Sequence, residues 1–172
     1  MNTNCLSHIA LIKAFLPLLK RTAKEGRGYG RIVNISSLAG LMGVSVRTCY
    51  SASKFGIGGF SRSLRTEVKQ YGIKVQMMYP GYVQTNVSKN AQIGKPGESF
   101  GKTDDNCKNG MQVEQAAREM LVASYMGKNE FICTSKAFHR LVVPLREVWS
   151  WFEDFASSTD FKSQMGAIHR AA

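Results

Sequence analysis

The sequence predicts an α/β fold built on a parallel sheet, and three observations carry that prediction. Apolar residues recur at helical spacing from Leu6 to Leu19, and again from Tyr50 to Gln70 through Phe55, Phe60, Leu64 and Val68. After each of these stretches comes a short apolar run, Arg31–Ile35 and Ile73–Tyr79, bounded by glycine, serine or proline as strands are. A strand, a crossover helix and a second strand of this length form a parallel βαβ unit with a right-handed connection.

Each element has its own punctuation. Gly26–Gly30 breaks the first helix, Ser36-Ser37 closes the first strand, Gly72 ends the second helix and Pro80-Gly81 stops the second strand. Residues 89–110 then turn polar and glycine-rich over a length beyond the usual connection, which reads either as a substrate loop or as a plain surface loop. Val113–Met126 is a further amphipathic helix and Glu130–Thr134 a third short strand. The tail, 135–172, sets Leu141, Val142, Val143, Trp149, Trp151, Phe152 and Phe155 beside basic residues. Three readings of it stay open: a core helix, the lining of an apolar pocket, or a segment lying against a membrane interface. Three parallel strands fall short of the about five or six that sheets average. The first would present an unpaired edge, so further strands are expected before Met1.

Composition narrows the function. The chain has 172 residues, 44% of them hydrophobic and 20% charged, enough for one domain with a core. Its net charge of +11 is dispersed, with clusters no denser than pairs such as Lys20-Arg21, so it reads as a solvated basic surface and not as a nucleic-acid site. Cys5, Cys49, Cys107 and Cys133 form no Cys-x-x-Cys pair, and His8, His139 and His169 are scattered, which supports neither a metal site nor a disulfide framework. No stretch approaches the roughly 18 consecutive apolar residues of a membrane-spanning helix. The apolar start, Cys5–Leu19, is interrupted by His8 and Lys13 and lacks a basic leader and a cleavage site, so it reads as a buried helix.

Tyr50 and Lys54 stand four residues apart on the second helix, which puts phenol and ammonium on one face. A free tyrosine titrates near pH 10, so proton transfer near neutrality needs about 4 kcal/mol of phenolate stabilisation. A cation about 4 Å away supplies about 4 kcal/mol at an effective dielectric of 20 but only about 1 kcal/mol in water. One lysine therefore suffices in a partly dry cleft. Alone, the Tyr-x-x-x-Lys pair is common on helix surfaces. Its company is less so, because Ser36-Ser37 and Pro80-Gly81 end the two strands flanking the helix, and ligands of open α/β sheets bind at those ends.

These residues resemble the short-chain dehydrogenase/reductase family over nearly the whole chain. The match is carried by Asn4 in Asn-Thr-Asn-Cys-Leu-Ser, by Arg31-Ile-Val-Asn-Ile-Ser-Ser-Leu-Ala-Gly40, by Tyr50-Ser-Ala-Ser-Lys54 and by Pro80-Gly-Tyr-Val-Gln-Thr85. The resemblance implies the C-terminal part of a Rossmann-type doubly wound sheet lacking its N-terminal strands, and an NADP- or NAD-dependent oxidoreductase. It implies that Tyr50 donates or accepts the proton, that Lys54 favours the phenolate and holds the nicotinamide ribose, and that Ser37 holds the substrate oxygen. Asn4 would anchor a relay water, while Val83 and Thr85, after Pro80 and Gly81, would grip the nicotinamide carboxamide and nearby phosphate. The stretch from Pro80 to Ala91 looks most like the branch of dehydrogenase/reductase member seven, especially its B type. That branch implies a lipid- or steroid-type carbonyl or alcohol as substrate and a cytosol-facing place at the endoplasmic reticulum membrane. Relatives often pair through the helix bearing Tyr and Lys, where Gly56, Gly58 and Gly59 would permit either close pairing or close packing within one chain.

One departure stands out. The family's glycine-rich turn, its residue selecting NAD or NADP, and its Asn-Asn-Ala-Gly strand end have no counterpart here, and Gly26-Arg-Gly-Tyr-Gly30 precedes a strand instead of joining strand to helix. Two readings follow: an oxidoreductase acting on a lipophilic substrate, or a truncated product serving as an interaction module.

Overall fold

In the computed structural model, residues 1–25, 30–45, 47–91, 97–99 and 101–135 are described. The elements run α1 (Ser7–Lys24), β1 (Arg31–Ile35), α2 (Thr48–Val68), β2 (Lys74–Pro80), α3 (Asp105–Lys108), α4 (Val113–Tyr125) and β3 (Glu130–Cys133). The three strands form one parallel sheet in the order β1-β2-β3. Arg31 pairs with Lys74 and Ile35 with Met78, while Met77 pairs with Glu130 and Pro80 with Cys133. The βαβ unit read from the sequence is therefore present. The tail from residue 136 onward lies outside the described residues, and its three readings with it.

Element boundaries differ from the sequence reading where local chemistry outweighs periodicity. A π-helical turn, Asn2–Leu6, precedes α1, with the amides of Cys5 and Leu6 both donating to the Met1 carbonyl at 3.0 and 3.3 Å. Helix α1 runs past Leu19 to Lys24 despite Pro17. Proline lacks the amide that would meet the carbonyl four residues back, but Pro17 and Lys13 lie on the exposed face, where a helix tolerates the lost bond more readily. Gly72 ends the turn after α2 at φ 70°, a left-handed conformation that costs glycine little. The polar stretch after β2 contains α3, a single turn that Asp104 caps by accepting from the Asn106 amide at 2.8 Å.

The core is layered. Helices α1 and α2 cover one face of the sheet, where Ile12, Ile32, Leu64, Val68, Ile73 and Val75 pack together. Toward the carboxyl end of the strands, Cys5, Leu38, Leu41, Ile57, Met77 and Tyr79 continue the same layer. Helix α4 covers the other face through Ala116, Ala123 and Ser124. Most buried polar side chains among the described residues are matched, the Ser51 hydroxyl being the exception. Gln76, fully buried, donates to the carbonyls of Lys128 and Ser124 at 2.7 and 3.2 Å and accepts from the Ser124 hydroxyl at 3.0 Å. Asn34 donates to Ser61 at 2.9 Å. Such pairing keeps desolvation from being lost outright.

Coverage stops at β1. This strand alternates exposed and buried residues, with Val33 and Ile35 still 39% and 42% accessible on the face away from α1 and α2. The outer edge of β1 pairs with no strand among the described residues.

Where β3 begins, Glu130 takes a bidentate pair from Arg62 at 2.9 and 3.0 Å, and Arg65 approaches at 3.5 Å. The Arg62 hydrogen bonds hold the Glu130 carboxyl below its ordinary value against the opposing effect of partial burial. Burial first, and the Glu130 charge second, push the Tyr79 phenol up to about 12. For a depressed carboxylate, the stabilisation is complete above the unfolded value, about 4.3, and is lost as pH falls through the folded one. Glu130→Gln is therefore expected to destabilise the chain at pH 6 by about 1 kcal/mol, a partly exposed pair, and to destabilise it less at pH 3, below the unfolded value. Urea midpoints at the two pH values check this; an equal gap at both would exclude the ion pair as the cause.

Candidate active site

The two strand ends and the first turns of α2 enclose one cleft of about 270 Å3. That is near the lower end of the roughly 300–1,000 Å3 typical of small-molecule sites. Ser37, Tyr50, Pro80, Gly81, Val83 and Thr85 line it, six of the eight site residues expected from the sequence. Lys54 and Asn4 stand behind the lining.

Ser37 stands two residues past β1 and caps the 3-10 turn Leu38–Gly40, its hydroxyl accepting from the Ala39 amide at 3.2 Å. That turn is pressed onto α2. The Ser36 hydroxyl donates to the Lys54 carbonyl at 3.2 Å, and a Cβ on Gly40 would lie 2.7 Å from the same oxygen. Ser37 and the Tyr50–Lys54 turn are thus held in register by close backbone approach.

Lys54 is only 9% accessible, and its ammonium donates to the Ile35 carbonyl at 3.3 Å. The ammonium stands 5.8 Å from the centre of the Tyr50 ring. Burial lowers the Lys54 pKa from its ordinary value, since the charged form loses hydration. A cation beside the phenol favours its phenolate form, the more so in a partly dry cleft. Asn4 meets the site indirectly: its side-chain amide donates to Ser53 at 3.4 Å, and Ser53 donates to the Tyr50 carbonyl at 2.6 Å.

The far wall comes from the chain after β2. Gly81 donates to the Cys133 carbonyl at 2.8 Å, which ties the wall to β3. Val83 bridges Met111, and the Met111 amide donates to the Tyr82 carbonyl at 2.9 Å. Gly110 is required for that approach, because a Cβ there would lie 2.6 Å from the Tyr82 oxygen. Thr85 is exposed, its hydroxyl accepting from the Val87 amide at 3.4 Å.

Several lining residues carried no signal in the sequence. Met42, Val44, Arg47 and Tyr82 reach the cleft from outside the regular elements and Cys107 from the single turn of α3, where neither helical nor strand periodicity applies. The glycines of α2 divide: Gly56 stands against Cys5, Gly58 lies near Tyr79, and Gly59 faces open space. A Cβ at Gly56 would crowd the Cys5 sulfur at 3.2 Å, whereas one at Gly58 would meet only ordinary contacts. Among the described residues no group of His, Cys, Asp and Glu could hold a metal, and no helix is long and apolar enough to cross a membrane.

Comparison with known proteins places this arrangement. The profile of the family described as short chain dehydrogenase matches residues 1–95. Dehydrogenase/reductase SDR family member 7B of Bos taurus is 37% identical over 130 residues, covering 76% of this chain and 38% of that protein. The 3-ketodihydrosphingosine reductase of Bacteroides thetaiotaomicron is 37% identical over 105 residues, covering 61% of this chain and 36% of that one. The chain thus spans well under half the length of these relatives. Among solved structures, a short chain dehydrogenase from Burkholderia cenocepacia in complex with NADP superimposes with a TM-score of 0.67, at 19% identity, over 90% of this chain and 55% of that one. With the profile matching more than half of its residues and the fold agreeing, this chain belongs to the short-chain dehydrogenase family.

Proposed function

We propose that this chain carries the proton-transfer cleft of an NADP- or NAD-dependent oxidoreductase that interconverts a carbonyl and an alcohol on a lipophilic substrate. The observation carrying this reading is the gathering of Ser37 and Tyr50 on one cleft wall, with Lys54 behind them and Val83 and Thr85 opposite. The donor set fits the nicotinamide end of the cofactor: an exposed Thr85 hydroxyl, the Lys54 ammonium and a strand end shaped by Pro80 and Gly81. When bound, the cofactor supplies the hydride. Tyr50 then gives a proton to the substrate oxygen, Ser37 orients that oxygen, and Lys54 stabilises the phenolate left behind. Asn4, through Ser53, steadies the turn from which Tyr50 projects, and in this reading orders a relay water.

Leu38, Met42, Val44, Val83 and Val87 give the cleft its apolar lining, which favours a lipid- or steroid-type substrate. The reductase relative named for a keto-sphingoid substrate points the same way. A second copy is the proposed protein partner, since Leu11, Phe15 and Leu18 of α1 and Phe55 of α2 are exposed. By resemblance, the place of action is the cytosolic side of the endoplasmic reticulum membrane.

The second reading, an interaction module, is favoured by the partly exposed Val33 and Ile35 beside an edge of β1 that pairs with no strand among the described residues. Titrating the purified chain with NADPH, read by nicotinamide fluorescence, decides between them. Saturable binding and ketone-dependent oxidation of NADPH support the enzyme. No binding at millimolar NADPH overturns it in favour of the module.

A further inference from the structure

The wall of the cleft opposite Ser37 is joined to α2 by one ion pair. Arg47, at the N-cap position of α2 and three residues before Tyr50, reaches Asp104 with Nη2–Oδ2 at 3.0 Å. Its guanidinium also lies 5.9 Å from the centre of the Tyr82 ring. Asp104 is a junction. Its other carboxylate oxygen caps α3, its amide donates to the buried Ser88 hydroxyl at 3.1 Å, and its carbonyl accepts from the amides of Cys107 and Lys108. Val87 and Cys107, next to this junction, line the cleft with Arg47 and Tyr50.

Tyr50 takes its position from the first turns of α2, whereas the opposing wall takes its position from α3 and the chain near Ser88. The Arg47–Asp104 contact joins the two directly and so couples the position of one to that of the other. Apolar side chains on both sides leave selection to space: an apolar ligand is discriminated by the room available, since it offers the site few directional contacts.

We propose that Arg47 is a positioning residue which, through Asp104, fixes the wall formed by Val87 and Cys107 and so sets the size of apolar substrate the cleft accepts. The size-selection part rests on the carbonyl–alcohol reading above; the clamp itself does not.

Cys107 is a built-in reporter, being 4% accessible and seated in that wall. In a Cys49→Ser background, which removes the exposed thiol, labelling with dithionitrobenzoate and peptide mapping follow Cys107 against the buried Cys5 and Cys133. Arg47→Ala and Asp104→Asn, the latter retaining a cap acceptor, are expected to speed Cys107 labelling by about tenfold or more through local opening while Cys5 and Cys133 stay protected. Arg47→Lys should restore protection. Saturation-transfer NMR with 2-hexanone, 2-octanone and 2-decanone then reads selection, with Arg47→Ala expected to shift the preference toward the longer ketones. Unchanged Cys107 labelling, or equal acceleration at all three thiols, overturns the clamp. Faster Cys107 labelling with an unchanged ketone preference overturns the role in selection. A wild-type chain that binds no ketone overturns the proposed substrate class, and the thiol rates then decide the clamp alone.

Discussion

Replacing Tyr50 with phenylalanine is expected to lower carbonyl reduction by about 10²–10⁴-fold, the usual contribution of a positioned general acid. Cofactor affinity and the urea midpoint should stay as in the unaltered chain, because the ring keeps its place above Lys54 and only the hydroxyl is lost. Lys54→Met tests the partner. Burial depresses the Lys54 pKa, so between its folded and unfolded values the unfolded chain binds more protons, and stability rises with pH toward the ordinary lysine value of about 10.4. Removing the ammonium should therefore abolish turnover, leave stability at pH 7 no lower, and flatten its rise toward pH 10. A Tyr50→Phe chain as active as its parent would sink the mechanism, and a Lys54→Met chain that unfolds at pH 7 would show that the ammonium is held for structure.

The largest expected loss of stability follows from one added methyl group. Gly40 lies where the turn after β1 meets the backbone of α2, and a Cβ there would stand 2.7 and 2.9 Å from the carbonyl oxygen and carbon of Lys54 while overlapping the Ser36 hydroxyl. Two of these neighbours are backbone atoms, which no rotamer change can move. Gly40→Ala is expected to destabilise the chain by about 3 kcal/mol, at the upper end for overpacking and a large share of a typical 5–15 kcal/mol. It should also displace Ser37 from Tyr50 and so reduce turnover beyond what unfolding explains. Gly59→Ala is the control: this helical position faces open space, and the change should stabilise by about 0.5–1 kcal/mol. Urea midpoints of the two variants should move in opposite directions; a Gly40→Ala midpoint equal to the parent's would mean the turn can retreat from α2.

Much of the fold was legible because it rests on short-range rules. The bounds of β1 and the stop at Gly72 after α2 follow from β-branched residues, glycine and the 3.6-residue rhythm, which act within a few residues of each other. Helix α3 was not legible, since a four-residue helix has no period to detect and its start depends on the Asp104 cap. The passage of α1 through Pro17 was equally hidden, because tolerance depends on which face meets water.

By itself, then, the sequence determined the strand–helix–strand order, the parallel sheet, and the spacing that puts Tyr50 and Lys54 on one helical face. Tertiary structure decided the rest of the site. Only packing could press Gly40 onto Lys54, bury that lysine to 9% accessibility and bring Arg47 to Asp104 across fifty-seven positions. The physical reason is range: hydrophobic period and turn chemistry act along the chain, whereas desolvation, close approach and ion pairing depend on which distant segments meet in space.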